Sequence, residues 1–189
     1  MHRKKEDRIF TIPNLLSILR LGMIPLFICL YRGRGEYLMA GFVLVLSGAT
    51  DVVDGYIARK LDSITNLGKI LDPIADKLTQ LVVLYVLLDR FTMLIWPLLF
   101  LIAKEVLNGL SGLFVIRSTG EAYSSEWHGK ASTVLLYTLL FIHVVWAEIP
   151  NSQSNLLIAA SSGMILLSLI LYTRRNLRII QQANHRKGK

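Results

Sequence analysis

Residues 51–76 read DVVDGYIARKLDSITNLGKILDPIAD and place two closely spaced pairs of aspartates between apolar segments. Charge at membrane depth is costly, and the charged side chains found there usually serve a function. At 3.6 residues per turn, Asp51 and Asp54 share one helix face, and Asp72 and Asp76 share a face of a second helix. Two helix ends that face each other would therefore bring four carboxylates together.

Four carboxylates in one low-dielectric site raise each other's pKa, and burial adds to the cost of ionising them. A pair of divalent cations would remove this conflict. Residues 51–76 contain no His or Cys, and hard oxygen ligands favour magnesium, manganese or calcium over zinc or copper. The pattern therefore predicts a site for two divalent ions such as Mg²⁺ or Mn²⁺, with Ca²⁺ as a further possibility.

The composition is typical of a membrane protein, because 53% of the 189 residues are hydrophobic and only 18% are charged. A bilayer core of about 30 Å requires about 20 helical residues. Apolar runs of about that length, with their flanks, occupy residues 12–31, 37–53, 68–88, 91–114, 131–147 and 156–172. We predict an all-α integral membrane protein with six transmembrane helices in one domain, residues 1–189, including a cytoplasmic segment at 1–11 and a basic cytoplasmic tail at 174–189.

The formal net charge of +8 indicates an acidic partner, and the positions of the cations favour membrane lipid over nucleic acid. Six spans would place the N-terminal segment, the loops at 59–69 and 117–130 and the tail on one side of the membrane. The positive-inside rule then predicts that both termini are cytoplasmic and that the aspartates lie at the cytoplasmic face of the plasma membrane. The basic tail is expected to determine topology and to contact anionic lipid.

Two further polar positions stand out. Lys104 and Glu105 lie within the fourth apolar run and are predicted to face the bundle interior, either as a buried ion pair or as part of a binding site. His128 lies at a predicted helix start, where a capping or interfacial role is favoured over contact with a phosphate.

The stretch resembles the signature of the CDP-alcohol phosphotransferases, DxxDGxxAR(x)8GxxxDxxxD. Every fixed position is matched without a gap, at Asp51, Asp54, Gly55, Ala58, Arg59, Gly68, Asp72 and Asp76. The resemblance implies the six-helix membrane fold of that family. It also implies an enzyme that displaces CMP from a CDP-linked lipid with an alcohol.

The resemblance further implies a role for each motif residue. Asp51, Asp54 and Asp72 would hold two metal ions on the diphosphate, with Asp76 completing the site and acting as general base. The opening segment TIPNLLSILR, residues 11–20, looks like the family's first helix and implies that Asn14 lies beside the nucleotide. The other positions implied to bind the CDP-linked substrate are Gly55, Arg59, Thr65 and Gly68.

Within the family, the chain most resembles the phosphatidylglycerophosphate synthases, which implies CDP-diacylglycerol as donor and glycerol 3-phosphate as acceptor. The related cardiolipin synthases imply the alternative acceptor phosphatidylglycerol. A phosphorylated acceptor needs nearby cations, for which the candidates are Lys77, Lys104, Arg117 and Lys130. Lys104 stands where the glycerophosphate enzymes typically have arginine, and Ser132 stands where a second lysine is usual.

Two other classes of protein share some of these features. Membrane prenyltransferases also place aspartate-rich helices around magnesium and a diphosphate, but they usually lack the DGxxAR continuation. A divalent-cation transporter could use intramembrane aspartates for transport, although the chain shows no inverted repeat. Family members commonly form homodimers, so the resemblance also implies a homodimer.

Overall fold

The structure, a computed structural model, describes residues 12–60, 66–119 and 126–187, with side chains at 14–50, 68, 71–117 and 126–182. These ranges form six α-helices. Their bounds are α1 Ile12–Ile28, α2 Tyr37–Lys60, α3 Asn66–Leu87, α4 Ile95–Thr119, α5 Trp127–Val145 and α6 Asn151–Lys187. The all-α prediction is confirmed, and each helix overlaps one of the predicted apolar runs.

Four segments within the described ranges are long and apolar enough to cross a membrane: Asn14–Arg34, Thr92–Arg117, Trp127–Val145 and Asn151–Gln182. The described side chains of α2 end at position 50, and within them the apolar part of the helix is Tyr37–Thr50. Helix α6 runs beyond its apolar part through the predicted tail, where no Gly or Pro interrupts it before its last residue, Lys187.

The chain divides into two compact units. Unit 1 comprises Met1–Arg90 and Leu140–Ile149, and unit 2 comprises Phe91–Leu139 and Pro150–Lys189. In unit 1, α1 packs against both α2 and α3. Ala40, Leu44, Val83 and Leu84 are among its buried core residues. The fold of unit 1 therefore brings the first helix against the helix that carries Asp72 and Asp76.

A π-helical turn, Cys29–Arg34, follows α1 and ends at Gly35. Gly35 has φ 67°, a left-handed conformation that glycine adopts without steric cost. Within this turn, Arg32 forms a two-point ion pair with Asp89, at 2.6 Å from Nε to Oδ2 and 2.8 Å from Nη2 to Oδ1. This pair ties the end of the turn to the segment that follows α3.

In unit 2, α4 packs along α6. The Nδ2 group of the buried Asn176 on α6 donates to Ser111 Oγ on α4 at 2.8 Å. The start of α5 lies very close to α6, because a Cβ atom at Gly129 would overlap the Tyr172 hydroxyl. A larger residue at this position would force the Tyr172 side chain to shift.

Candidate functional site

The aspartates of the second pair lie on successive turns of α3. Asp72 and Asp76 are both half-buried and, at a spacing of four residues, share one helix face as predicted. Asp51 and Asp54 lie three residues apart on α2, but their side chains lie outside the described residues. The structure therefore confirms the helix spacing within each pair, and the meeting of the two pairs stays a prediction.

Asp72 is held from α1 by two side chains. Arg20 Nη1 donates to Asp72 Oδ1 at 3.2 Å, and Ser17 Oγ donates to the same oxygen at 3.4 Å. Arg20 is only 1% exposed. A buried guanidinium is stabilised by such a carboxylate, and a charge-assisted bond fixes the carboxylate's orientation. Arg20 and Ser17 therefore position a motif carboxylate.

Sequence reasoning missed Ser17 and Arg20 as site residues. The signal that could have found them is a stripe of polar residues three apart, Asn14, Ser17 and Arg20, in an otherwise apolar helix. All three are buried. Residues three apart lie on one face, and polar groups at membrane depth usually face the protein interior. The stripe therefore marks the face of α1 that meets α3.

Asp76 has a polar partner one turn farther along α3. Gln80, which is buried, donates from Nε2 to Asp76 Oδ2 at 3.0 Å. Asp72, Asp76 and Gln80 thus form a polar row along one face of α3, each four residues from the next. The amide holds one carboxylate oxygen of Asp76 without adding a charge.

The donor set of this row fits a hard divalent cation, because it consists of carboxylate oxygens. The contacts of Ser17 and Arg20 both fall on one oxygen of Asp72, Oδ1. Among the residues with described side chains, no group of three or more His, Cys, Asp or Glu comes together. The side chains of two of the four predicted ligands, Asp51 and Asp54, lie outside the described residues. The four-aspartate metal site therefore stays a prediction.

The predicted substrate-binding residues fall in different parts of the structure. Asn14 is buried on the polar face of α1, and Gly68 is half-buried in the first turn of α3. Gly55 and Arg59 lie near the end of α2, where side chains are not described. Thr65 lies outside the described residues. The structure therefore places Asn14 on the same buried stripe as Arg20 and leaves the roles of the other residues as predictions.

Among the predicted acceptor cations, Lys104 is distinctive. It is buried on α4, as predicted, and its Nζ donates to Ser132 Oγ on α5 at 3.1 Å. The adjacent Glu105 lies 3.7 Å from the same ammonium and is half-buried. Ser132 in turn donates to the backbone oxygen of Gly129 at 2.9 Å. Ser132 thus links the buried lysine to the first turn of α5.

The other candidate cations differ from Lys104 in exposure. Arg117, in the last turn of α4, and Lys130, in the first turn of α5, are both exposed. Lys77 is half-buried on α3, next to Asp76 in sequence. The grouping of all four around an acceptor therefore stays a prediction.

His128 is a core residue of unit 2. It is 1% exposed, with Nδ1 3.2 Å from Ser168 Oγ on α6 and Nε2 2.9 Å from Glu126 Oε2. Since both ring nitrogens are engaged inside the protein, the predicted interfacial role is wrong. Its ring also packs edge-on against Tyr172, with centroids 4.5 Å apart. His128 therefore joins the start of α5 to α6.

Glu126 connects the same cluster to a cation on α6. Arg175 Nη1 donates to Glu126 Oε1 at 3.0 Å, and its guanidinium lies over the Tyr172 ring. The Tyr172 hydroxyl accepts from the Glu126 backbone N–H at 2.9 Å. The Arg175 guanidinium, followed by His128, holds the pKa of Glu126 below its usual range. Glu126 is therefore a carboxylate that stays ionised to lower pH.

The model of one protein family, CDP-alcohol phosphatidyltransferase, matches residues 10–173. This range includes all eight signature positions and the stripe on α1. A Bacillus subtilis protein named CDP-diacylglycerol–glycerol-3-phosphate 3-phosphatidyltransferase is 32% identical over 152 residues, covering 71% of this chain and 78% of that protein. A protein of the same name from Aquifex aeolicus is 33% identical over 178 residues, covering 89% and 97%.

A third relative has a different name. The Streptomyces coelicolor protein named cardiolipin synthase (CMP-forming) is 41% identical over 110 residues, which is 56% of this chain and about half (51%) of that protein. Both names describe enzymes, and relatives of each kind include proteins that are matched over most of this chain. The relatives with the first name include one that is matched over nearly its whole length.

Proposed function

The chain belongs to the CDP-alcohol phosphatidyltransferase family, and on that premise we propose that it transfers the phosphatidyl group of CDP-diacylglycerol to glycerol 3-phosphate. The products would be phosphatidylglycerophosphate and CMP. The observation that carries this proposal is the similarity to proteins named for that reaction, which extends over 89% of the chain in the Aquifex aeolicus protein. Family membership also removes the reasons to consider a prenyltransferase or a cation transporter.

The donor site is assigned to the motif. Asp51, Asp54, Asp72 and Asp76 would bind two Mg²⁺ or Mn²⁺ ions, and the oxygen donors of Asp72 and Asp76 fit such ions. When bound, the ions would neutralise charge on the diphosphate and on the departing CMP. Arg20 and Ser17 support this assignment because they already hold Asp72 by one oxygen.

The reaction replaces the phosphoanhydride bond of the CDP-linked donor by a phosphoester bond to the acceptor. The acceptor hydroxyl oxygen bonds to the phosphorus that carries diacylglycerol, the bond from that phosphorus to CMP breaks, and CMP leaves with the electron pair. Asp76 takes the hydroxyl proton as general base. Arg59 would pair with diphosphate oxygens through its planar guanidinium, and Asn14 would hydrogen-bond the nucleotide. Gly55, Thr65 and Gly68 would line the same substrate.

The acceptor phosphate is assigned to cations, with Lys104 as the first candidate and Lys77, Arg117 and Lys130 as the others. A buried ammonium held by a neutral hydroxyl supports this role, because it keeps a positive charge in a low-dielectric environment. The alternative function is a cardiolipin synthase that uses phosphatidylglycerol. The Streptomyces coelicolor relative favours that alternative.

The membrane arrangement is part of the proposal. The chain would form a single domain whose α2 and α3 complete six spans, with both termini and the active site at the cytoplasmic face of the plasma membrane. The excess of cations in the N-terminal and C-terminal segments supports this orientation. A homodimer is proposed from the family resemblance alone.

The decisive experiment measures CMP release by the purified protein in detergent with CDP-diacylglycerol and magnesium. Glycerol 3-phosphate, phosphatidylglycerol, inositol phosphate and serine are compared as acceptors. Release with glycerol 3-phosphate alone supports the proposed function, whereas release with phosphatidylglycerol alone replaces it by the cardiolipin synthase alternative. No release with any acceptor, from protein that still binds CDP-diacylglycerol, would contradict both.

A further inference from the structure

One face of α6 changes from apolar to basic along its length. Leu167 and Ile170 are 42% and 47% exposed on this face. Continuing at spacings of four, the same face presents Arg174 and Arg178, both exposed, with Leu177 52% exposed beside them. Residues three and four apart on a helix are neighbours, so these five residues form one continuous stripe, here called the α6 stripe.

The opposite face of α6 is held inside unit 2, which fixes the direction of the α6 stripe. Tyr172 and Asn176 are buried, bound to the Glu126 backbone and to Ser111. Arg175, between them, is paired with Glu126 at 3.0 Å. The sequence shows three arginines close together at 174, 175 and 178. Among these three, Arg175 is the one with an ion-pair partner in the described part of unit 2.

Arg174 and Arg178 have no ion-pair partner among the residues described. Two exposed guanidiniums one turn apart, with about 5–6 Å between their Cβ atoms, match the size of one phosphate group. Arginine is well suited to such a group because its planar fork donates two parallel hydrogen bonds. The charge of this part of the α6 stripe is therefore complementary to an anion.

The depth of the two arginines indicates which anion. The part of α6 with described side chains, Asn151–Gln182, has 32 residues, a length of about 48 Å at 1.5 Å per residue. A hydrocarbon core is about 30 Å thick, and the headgroup layers add about 5–7 Å on each side. The charged end must therefore leave the core. Arg174 lies two residues after Tyr172, the last residue of the apolar run, and this places the arginines in the headgroup layer.

We propose that the α6 stripe binds an anionic phospholipid, with acyl chain along Leu167 and Ile170 and headgroup phosphate between Arg174 and Arg178. Leu177 supports a lipid over a soluble anion, because an exposed leucine between two arginines is favourable at the boundary between headgroups and acyl chains. The proposed site uses residues of α6 alone and none of the residues of the aspartate motif. It does not depend on which acceptor the enzyme uses.

The test uses phosphatidylserine, which is anionic but is neither donor, acceptor nor product in either candidate reaction. The purified full-length protein is titrated in detergent with phosphatidylserine and with phosphatidylcholine of the same acyl chains. Native mass spectrometry counts the bound lipids and reports the oligomeric state. We expect tighter binding of phosphatidylserine, weakened about fivefold for each arginine lost in Arg174→Gln or Arg178→Gln and about 25-fold in the double variant.

Matched variants separate charge from structure. Arg34→Gln removes an arginine that is 65% exposed in unit 1 and should leave phosphatidylserine binding unchanged. Arg174→Lys with Arg178→Lys keeps the charge and should retain most of the binding. Unchanged phosphatidylserine binding in the double glutamine variant would overturn the proposal. An equal loss of phosphatidylcholine binding and phosphatidylserine binding in that variant would also overturn it. Competition by soluble glycerol phosphate would assign the arginines to a soluble anion, and loss of a dimer in the double variant would assign the stripe to a second copy.

Discussion

Among the residues with described side chains, each unit buries one Lys or Arg in a helix that has the length to span a membrane, and these two cations differ in their partners. In unit 1, Arg20 on α1 contacts the motif carboxylate of Asp72 on α3. In unit 2, Lys104 on α4 bonds the Ser132 hydroxyl on α5, while its nearest described acid is the adjacent Glu105 at 3.7 Å. The charged partner of Arg20 thus comes from another helix, and that of Lys104 from its own.

This difference separates two uses of a buried cation. Removing Arg20 would leave a motif carboxylate without its charged partner, and breaking a buried ion pair in this way is strongly destabilising. Removing the hydroxyl of Ser132 would leave Lys104 and Glu105 in place. We therefore expect Arg20 to act by positioning the donor site and Lys104 to act by charge, and the following changes test that contrast.

The largest effect is expected at Asp76, the proposed base on the row that Arg20 helps to order. Asp76→Asn keeps the side-chain size but removes the proton acceptor, so CMP release should fall by about 10²–10⁴-fold. Metal-dependent binding of CDP-diacylglycerol should remain measurable by calorimetry. Wild-type turnover would remove Asp76 from the role of base.

The next largest effect is expected from Arg20→Met. Loss of a group that orients a metal ligand typically costs about 10–100-fold in metal affinity or activity. The magnesium concentration needed for half-maximal binding of CDP-diacylglycerol should rise by a similar factor. A general loss of stability would not produce this shift in protein that is still folded. Arg20→Lys should recover part of the loss because it restores the charge without the geometry. An unchanged magnesium dependence in both variants would contradict the positioning role.

A smaller and more selective effect is expected from Lys104→Met. Without the buried ammonium, the KM for glycerol 3-phosphate should rise by about tenfold, in line with the loss of a charge-assisted bond of about 1.5 kcal/mol. Binding of CDP-diacylglycerol should not change. Steady-state kinetics with each substrate varied in turn make the measurement.

Ser132→Ala is the matched control for Lys104→Met. It removes the hydrogen bond to the ammonium but keeps the charge, so its effect on the acceptor KM should be clearly smaller. If the two variants raise the acceptor KM equally, the Ser132 hydroxyl and not the Lys104 charge determines acceptor binding. If Lys104→Met changes only stability, the lysine belongs to a structural ion pair with Glu105.

The smallest effect is expected at Glu126, where Arg175 and His128 lower the pKa of an exposed carboxylate. A lowered pKa in the folded state contributes stability above the unfolded pKa, and this contribution is lost as the pH falls through the folded pKa. Glu126→Gln should therefore lower the Tm slightly at neutral pH, and the difference from wild type should shrink below about pH 4. Thermal unfolding in detergent measures it.

Glu36→Gln provides the control for this prediction. Glu36 lies 3.9 Å from Arg34 in a loosely packed surface pair, and such pairs contribute little to stability. We expect a smaller change in Tm than in Glu126→Gln. An equal loss of Tm in the two variants would show that the Glu126 carboxylate does not specifically stabilise the cluster around His128.

Much of the helical architecture could be predicted because it depends on spacing along continuous segments. The apolar runs located all six helices, and the separation of Asp72 from Asp76 predicted their common face. The end of α6 was harder, since the basic tail looks like a solvated segment while its residues still favour a helix. His128 was misjudged because its position at a helix start does not reveal that Ser168 and Tyr172 lie against it.

The amino-acid sequence by itself determined the family, the membrane character and the residues proposed for chemistry, because a gapless motif and hydrophobic runs are properties of local order. Only the tertiary structure decided which side chains meet. Arg20 and Asp72 are 52 positions apart, and their contact exists because α1 packs against α3. Likewise, three neighbouring arginines near the end of α6 look equivalent in sequence. Helix packing turns Arg175 towards Glu126 and leaves Arg174 and Arg178 exposed.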